Sequence, residues 1–396
     1  MNAQQLDRVL EALDAFEIEV PSWGFANTGT RFGKFIQPAA ATTLEEKLGD
    51  AGQVHAVTGC SPSVAVHVLW DFPNGAADAQ QVSQLARKYG VRIGSINPNV
   101  FQDQIYKHGS LGNPDAEVRQ AALDHMLDCA RISWATGSRD ISLWFADGSN
   151  YPGTQSIRKR RQWFVEGLRE LHGNLSEGQR MLVEYKPFEP AFYHTDIADW
   201  GMALLLARHA GPQAKVLVDL GHHYQAQNIE QIVAWLLAEG MLGGFHFNDR
   251  RYADDDLTLG SIDPYQLFRI FHEICTWEWE TGDRADIAYM IDQSHNLKGK
   301  IEAMIQSVVR AQELYVKALL VDHAELAAKQ QCCDLVDAEE CLQRAFATDV
   351  RPIVVEWRKS RGLPEDPMKA FRASGYLDRV TQERAERNQG SIASYA

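Results

Sequence analysis

Val216-Leu217-Val218-Asp219-Leu220-Gly221-His222-His223 is a short, β-branched apolar run that stops on a carboxylate and turns through a glycine into two imidazoles. Met181-Leu182-Val183-Glu184-Tyr185-Lys186 precedes it, and Gly243-Gly244-Phe245-His246-Phe247-Asn248-Asp249 and Tyr289-Met290-Ile291-Asp292 follow it. Each is an apolar strand with polar chemistry at its C-terminal end. Working outward, eight such strands are expected, around Ile18–Pro21, Val64–Val68, Val91–Ile96, Ile141–Trp144, Leu182–Lys186, Val216–Asp219, Gly244–Phe247 and Ile287–Asp292. Helix-like stretches separate them: Asp78–Tyr89, Ala116–Thr136, Ile157–His172, Ile197–His209, Ile229–Glu239 and Tyr265–Trp279. Asp78 suits an N-cap, and Gly90, Gly137, Gly173, Gly211 and Gly240 stand where helices should stop.

Strand–helix alternation implies a parallel sheet, and eight repeats fit a closed (β/α)8 TIM barrel, an α/β fold. The rival open sheet usually carries a G-x-G-x-x-G after its first strand; this chain has none, nor a P-loop. The chain has 396 residues, more than the roughly 250 of a typical barrel. A long helical pattern from about Leu297 to Gln331, then Cys341–Phe346 and Ile353–Arg361, has no further strands. The expected division is a catalytic barrel over 1–296 and a C-terminal helical extension over 297–396, packing on the barrel and on neighbouring subunits.

The net charge is −14 with His neutral, which argues against nucleic acid as a partner. The dense basic run Arg158-Lys159-Arg160-Arg161 reads as a solvated helix face. Neither a signal-like N-terminus nor a long apolar span is present, so a soluble cytoplasmic protein, off the membrane, is expected. The six cysteines lack a C-x-x-C pair and read as reduced thiols.

Barrel chemistry belongs at the C-terminal ends of the strands. There Glu184 and Lys186 share a face by period-2 geometry, as do His246 and Asn248. Taken singly, each has a plain structural reading: an internal ion pair, a helix cap, a satisfied loop histidine, a solvated acidic loop for Asp254-Asp255-Asp256. Taken together, Glu184, Asp219, His222, His246, Asp254, Asp256 and Asp292 put five carboxylates and two imidazoles at one mouth. Two divalent metals resolve that conflict, and an oxygen-rich shell favours Mn²⁺, Mg²⁺ or Co²⁺. In the acidic loop, Asp254 and Asp256 would face one metal while Asp255 turns away. The early strand ends supply Trp23, His67, Phe101 and Trp144, suited to the wall of a sugar pocket, although core packing is the bland alternative.

The order Val-Pro-Ser-Trp-Gly (20–24), His-x-x-Trp-Asp (67–71), Trp-x-x-Asp-Gly-Ser-Asn (144–150), Glu-x-Lys (184–186), Val-Asp-Leu-Gly-His-His (218–223), Phe-His-Phe-Asn-Asp (245–249) and Met-Ile-Asp-Gln-Ser-His-Asn (290–296) resembles the L-rhamnose isomerase family. The likeness is to its shorter, broad-specificity branch and, more distantly, to xylose isomerases. It spans nearly the whole chain. The resemblance implies a structural metal on Glu184, Asp219, His246 and Asp292, and a catalytic metal on Asp219, His222, Asp254 and Asp256. It places Lys186 near the sugar O1, His67 at sugar binding and ring opening, and Trp23, Phe101 and Trp144 along the pocket wall. Lys186, His67 and Asp292 are the candidate catalytic residues. It further implies two metal ions per subunit, Mn²⁺ foremost, a homotetramer, and interconversion of L-rhamnose and L-rhamnulose by a metal-assisted hydride shift. An isomerase of D-allose, L-mannose or L-lyxose, or a metal-dependent sugar epimerase, is the alternative. Tyr185 stands where His is common; alternation points it away from the metals, so little effect is expected. Arg250 and Arg251 depart near the mouth and bear on substrate preference.

Overall fold

The computed structural model describes residues 3–27, 35–149, 151–187, 195–294 and 297–388. The strands are β1 (Val20–Pro21), β2 (Ser63–His67), β3 (Arg92–Asn97), β4 (Asp140–Leu143), β5 (Arg180–Glu184), β6 (Ala214–Asp219), β7 (Leu242–Phe247) and β8 (Ala288–Ile291). All run parallel in the order β1 to β8. Glu19 closes the ring: its N–H donates to Tyr289 O at 2.8 Å, and its carbonyl accepts from Ile291 N at 2.8 Å. The result is a TIM barrel.

Helix α1 (Ala3–Ala15) precedes β1; α2 (Leu44–Thr58), α3 (Ala79–Lys88), α4 (Ala116–Thr136), α5 (Ile157–Gly173), α6 (Trp200–Ala210), α7 (Ile229–Ala238), α8 (Pro264–Thr281) and α9 (Lys300–Leu319) follow successive strands. Helix α9 packs between α8 and α2 as the eighth of the ring, and the expected division at 296/297 falls in the connection before it. The tail forms α10 (His323–Gln331), α11 (Leu335–Ala347), α12 (Arg351–Ser360), α13 (Pro367–Ala373) and α14 (Tyr376–Arg384). The single helical stretch expected over 297–331 is in fact two helices. The break falls at Asp322, whose carboxylate caps α10 by accepting from Glu325 N.

Two apolar layers hold the barrel. Inside, Leu182, Leu217 and Met290 fill the lumen below the mouth. Outside, strand side chains pack on the helices: Phe245 and Phe247 stack at 4.9 Å, and Phe247, Phe271 and Tyr289 meet edge and face. Alternation thus sends the phenylalanines of β7 outward and His246 inward. No described helix is long and apolar enough to cross a membrane, and all six cysteines are free thiols.

Two local expectations fail. The Asp78 carboxylate turns back to accept from Asn74 N and Nδ2, so it closes the preceding turn and does not cap α3. The basic run is not wholly a solvated face. Arg160 is fully buried, donating from Nε to Asp196 Oδ2 at 2.8 Å and from Nη1 to His108 O at 3.1 Å, with Asp147 3.7 Å away. It ties together the loops that follow β3, β4 and β5.

Candidate metal centre

Register brings the predicted donors together. Asp219 pairs with His246, and Met290 also pairs with His246, so Asp292, two residues on, is the next inward side chain above them. Glu184 ends β5 opposite Leu217. His246 Nδ1 lies 3.3 Å from Glu184 Oε1, 3.8 Å from Asp219 Oδ2 and 3.8 Å from Asp292 Oδ2. His222 Nε2 lies 3.3 Å from Asp254 Oδ2 and 3.8 Å from Asp219 Oδ2. His222 Nδ1 also lies 3.1 Å from Glu184 Oε1, so the two imidazoles mark two compartments, and Asp219 and Glu184 face both. Ions of the Mg²⁺ or Mn²⁺ type hold oxygens near 2.1 Å, which sets neighbouring donors roughly 3 Å apart. Glu184, Asp219 and His222, and Asp219, His246 and Asp292, each offer atoms within 4.8 Å of one another.

The chemistry of the donors fits a cation. Asp219 Oδ1 accepts from Gly221 N at 2.7 Å and Asn248 Nδ2 at 2.9 Å. Its Oδ2 is buried and has no hydrogen-bond partner among the described residues. Such an oxygen is costly unless a proton or a cation takes it. Burial, with Asp254, Glu184 and Asp292 outweighing His222, pushes the Asp219 carboxyl up to about 7. Burial opposes charge on His246 too, yet Glu184, Asp292 and Asp219 lift it to about 9. Burial would raise Glu184, but His246 and His222 hold it at about 2. With no cation, the cluster balances its carboxylates with protons.

Gly221 belongs to this cradle: a Cβ there would sit 2.5 Å from Asp254 Oδ1 and 3.2 Å from Asp219 Oδ1. Asp256 takes the left-handed region at φ 49°. Burial and the fields of Asp254, Asp292 and Asp219 raise its carboxyl well above the usual range. Asp255 turns away, accepting from Arg251 N and Tyr252 N.

A wall of rings stands beside the cluster. Trp23 Nε1 donates to Asp292 Oδ1 at 2.9 Å. Trp23 and His67 lie 5.1 Å apart, His67 and Phe101 5.9 Å, and Phe101 and Trp144 4.9 Å. Lys186 Nζ sits 5.4 Å over the Trp144 ring and donates to Asp254 Oδ2 at 2.7 Å. His67 Nδ1 and Trp144 Nε1 are buried polar atoms without a hydrogen-bond partner among the described residues. Burial, further lowered by Lys47 against the pull of Asp71, brings His67 down to about 4, so its ring is neutral.

Sequence reasoning missed several supports. Asp71 accepts from Ser22 Oγ at 2.6 Å, Lys47 Nζ at 2.8 Å and His67 N at 3.0 Å, tying the Trp23 and His67 turns to α2. Only the Asp in His-x-x-Trp-Asp hinted at it. Asn248, two residues after His246, holds Asp219 in place. Arg250 reaches inward: it donates to Leu220 O at 2.9 Å and Tyr224 O at 3.1 Å, bracing the β6 turn.

A carboxylate–imidazole cluster at the mouth of a parallel barrel, flanked by an aromatic wall, together with the similarity to known proteins, marks the chain as a sugar isomerase or epimerase. Residues 62–284 match the model of the xylose isomerase-like TIM barrel family, and the chain belongs to that family. It is similar to a probable sugar isomerase of Rhizobium meliloti (strain 1021), with 39% identity over 96% of this chain and 89% of the relative. A probable sugar isomerase of Mesorhizobium japonicum is 37% identical over 98% of this chain and 90% of its own length. The fold is shared with a xylose isomerase domain protein of Alicyclobacillus acidocaldarius at a TM-score of 0.52 and 17% identity, covering 76% of this chain and 99% of that one.

Proposed function

We propose that this protein is a divalent-metal-dependent aldose–ketose isomerase, acting on L-rhamnose to give L-rhamnulose. The observation that carries the reading is Asp219 Oδ2, a buried carboxylate oxygen facing both His246 and His222 with no other partner among the described residues. Glu184, Asp219, His246 and Asp292 would hold one ion; Asp219, His222, Asp254 and Asp256 would hold the other. Mn²⁺ is the first choice, with Co²⁺ or Mg²⁺ as alternatives. Bound there, the ions supply Lewis acidity to a carbonyl and charge stabilisation to an alkoxide.

The chain's own residues do the rest. Lys186, held by Asp254, would bind the sugar O1. Neutral His67 offers a ring nitrogen to a sugar hydroxyl during binding and ring opening. Trp23, Phe101 and Trp144 pack on the C–H face of the sugar and exclude water. A hydride then passes from C2 to C1 while the O2 hydroxyl proton is transferred to O1, so O2 becomes the ketone oxygen, O1 becomes a hydroxyl, and no base is needed at carbon. The substrate is a small sugar, and the working form is a cytoplasmic homotetramer in which the C-terminal helices pack on the barrel and on neighbouring subunits.

The test is ketose formation by metal-stripped protein with Mn²⁺ restored, across L-rhamnose, L-mannose, L-lyxose and D-allose. Turnover strongest on L-rhamnose and abolished by chelator is expected. Turnover on none of them refutes the isomerase reading. Substantial solvent deuterium in product formed in heavy water refutes the hydride route.

A further inference from the structure

We propose that Tyr185 and His223 form a positioning pair that sets the second metal compartment; this rests on the two-metal reading above. Neither residue faces the cluster. Tyr185 sits between Glu184 and Lys186 and points outward from the barrel, and His223 follows His222. Both are buried. Tyr185 Oη and His223 Nε2 lie 2.6 Å apart, and the rings meet edge to face at 5.3 Å. His223 Nδ1 lies 3.4 Å from Leu220 O, which assigns the proton to that nitrogen and leaves Nε2 to accept from the Tyr185 hydroxyl. The pair therefore joins the end of β5 to the turn after β6.

What that joint fixes is His222. Its Nδ1 lies 3.0 Å from the carbonyl of Tyr185 and 3.1 Å from Glu184 Oε1, both at the end of β5, so Nε2 is the nitrogen turned toward Asp219 and Asp254. Metal-binding imidazoles are commonly held through their second nitrogen in this way. The same residue, Tyr185, thus grips two consecutive residues of the turn: by its carbonyl the His222 ring, and by its hydroxyl the His223 ring. Arg250 adds a third point by donating to Leu220 O and Tyr224 O.

The effect is selective by position. Glu184, Asp219 and His246 all sit within paired strands, so ladder hydrogen bonds hold their backbones. His222 lies beyond the last pair of β6, and its own backbone N–H makes only a 3.2 Å turn contact with Asp219 O. Loosening the joint moves His222 and leaves the first compartment in register. A chain with His at 185 would reach a different distance from the strand, so the residue at this position, though turned from the metals, is tied to the donor set.

The experiment is Mn²⁺ titration calorimetry on the wild type, Tyr185→Phe, His223→Leu, the double variant and His223→Gln, with thermal unfolding of each metal-free protein. For Tyr185→Phe and His223→Leu, one of the two sites is expected to lose about 10-fold to 100-fold in affinity. The other site should stay within about threefold, the range of ordinary context effects. The double variant should be no worse than either single one, because both remove one bond. His223→Gln, which keeps an acceptor for the hydroxyl, should stay near wild type. Equal weakening of both sites, unchanged affinities with only a lower melting temperature, or additive losses in the double variant would each overturn the pair's role. If Tyr185→Phe does not fold, His223→Leu against His223→Gln decides the matter alone. Failure of the wild type to bind Mn²⁺ at all is a separate outcome: it removes the metal reading itself.

Discussion

Glu19 is an unusual group to bury, and the structure sets a number on its cost. It lies in the barrel lumen at the joint between β1 and β8. Ser95 N donates to its carboxylate at 3.0 and 2.9 Å and Ser95 Oγ at 2.5 Å, in space that exists because residue 94 is glycine: a Cβ there would fall 1.4 Å from Oε2. Burial dominates nonetheless, and with Asp140 it outweighs Ser95 and His246 to push the carboxyl from 4.5 up to about 7. An unfolded chain ionises this group near 4.5. Between those values the folded protein holds a proton that the unfolded protein has lost. The group's contribution is complete below about pH 4.5 and is lost as pH rises through 7. At about 1.4 kcal/mol per pH unit, the total loss is roughly 3 kcal/mol, with about 2 kcal/mol gone by pH 6. Glu19→Gln keeps the shape and removes the titration. Urea unfolding of metal-stripped wild type and variant across this range should show the variant gaining on the wild type by roughly 3 kcal/mol between the acid and alkaline ends. A difference that stays flat with pH would show that Glu19 ionises normally in the fold, and the argument from burial would be wrong.

Three further outcomes follow from the site. Gly221→Ala has no backbone penalty but drives a methyl into Asp254 and Asp219; Mn²⁺ affinity should fall at least about tenfold with the metal-free melting temperature little changed, and retained affinity would refute the cradle. Arg160→Met strips the buried partner from Asp196 and Asp147 and should cost about 3–5 kcal/mol in urea unfolding, with a loss under about 1 kcal/mol counting against the hub. His67, brought down to about 4 by burial, is neutral from pH 5 upward; His67→Gln should lower kcat/KM at least about tenfold while leaving the acid limb of the pH profile in place, and a limb that vanishes with the histidine would show that His67 titrates there.

The barrel was legible because strand periodicity and glycine punctuation agree through the middle of the chain. The helix over Ala116–Thr136 is found at the expected bounds, and most strands lie within two residues of theirs. Helix α2 was missed because its buried face is built from small residues. Gly52 packs so close to Tyr89 O that a Cβ would come within 2.5 Å, and Asp50 is a buried anion held by Arg384 at 2.8 Å and Tyr376 Oη at 2.8 Å. Among these glycines and charges, Leu48, Ala51 and Val54 make only a broken apolar stripe. Likewise Arg160 looked solvated because charge patterning along one helix cannot show that carboxylates from two distant loops converge on one member of the run.

The donor cluster was legible for a different reason. A carboxylate or imidazole at the end of an apolar strand is unfavourable in isolation, and four consecutive strands carry one: Glu184, Asp219, His246 and Asp292. The sum demanded a shared solution before any distance was known. The supports were not legible, because they obey no such rule. Asp71, Asn248 and Tyr185 each satisfy partners separated from them in sequence, and each looks ordinary on its own strand. Tyr185 makes the point most sharply. Alternation correctly turns it away from the donors, yet its carbonyl and its hydroxyl grip His222 and His223, consecutive residues of the turn after β6. Facing away from a site is therefore not the same as acting outside it: along a strand, the residue between two inward groups is the one positioned to hold the next strand's turn in place.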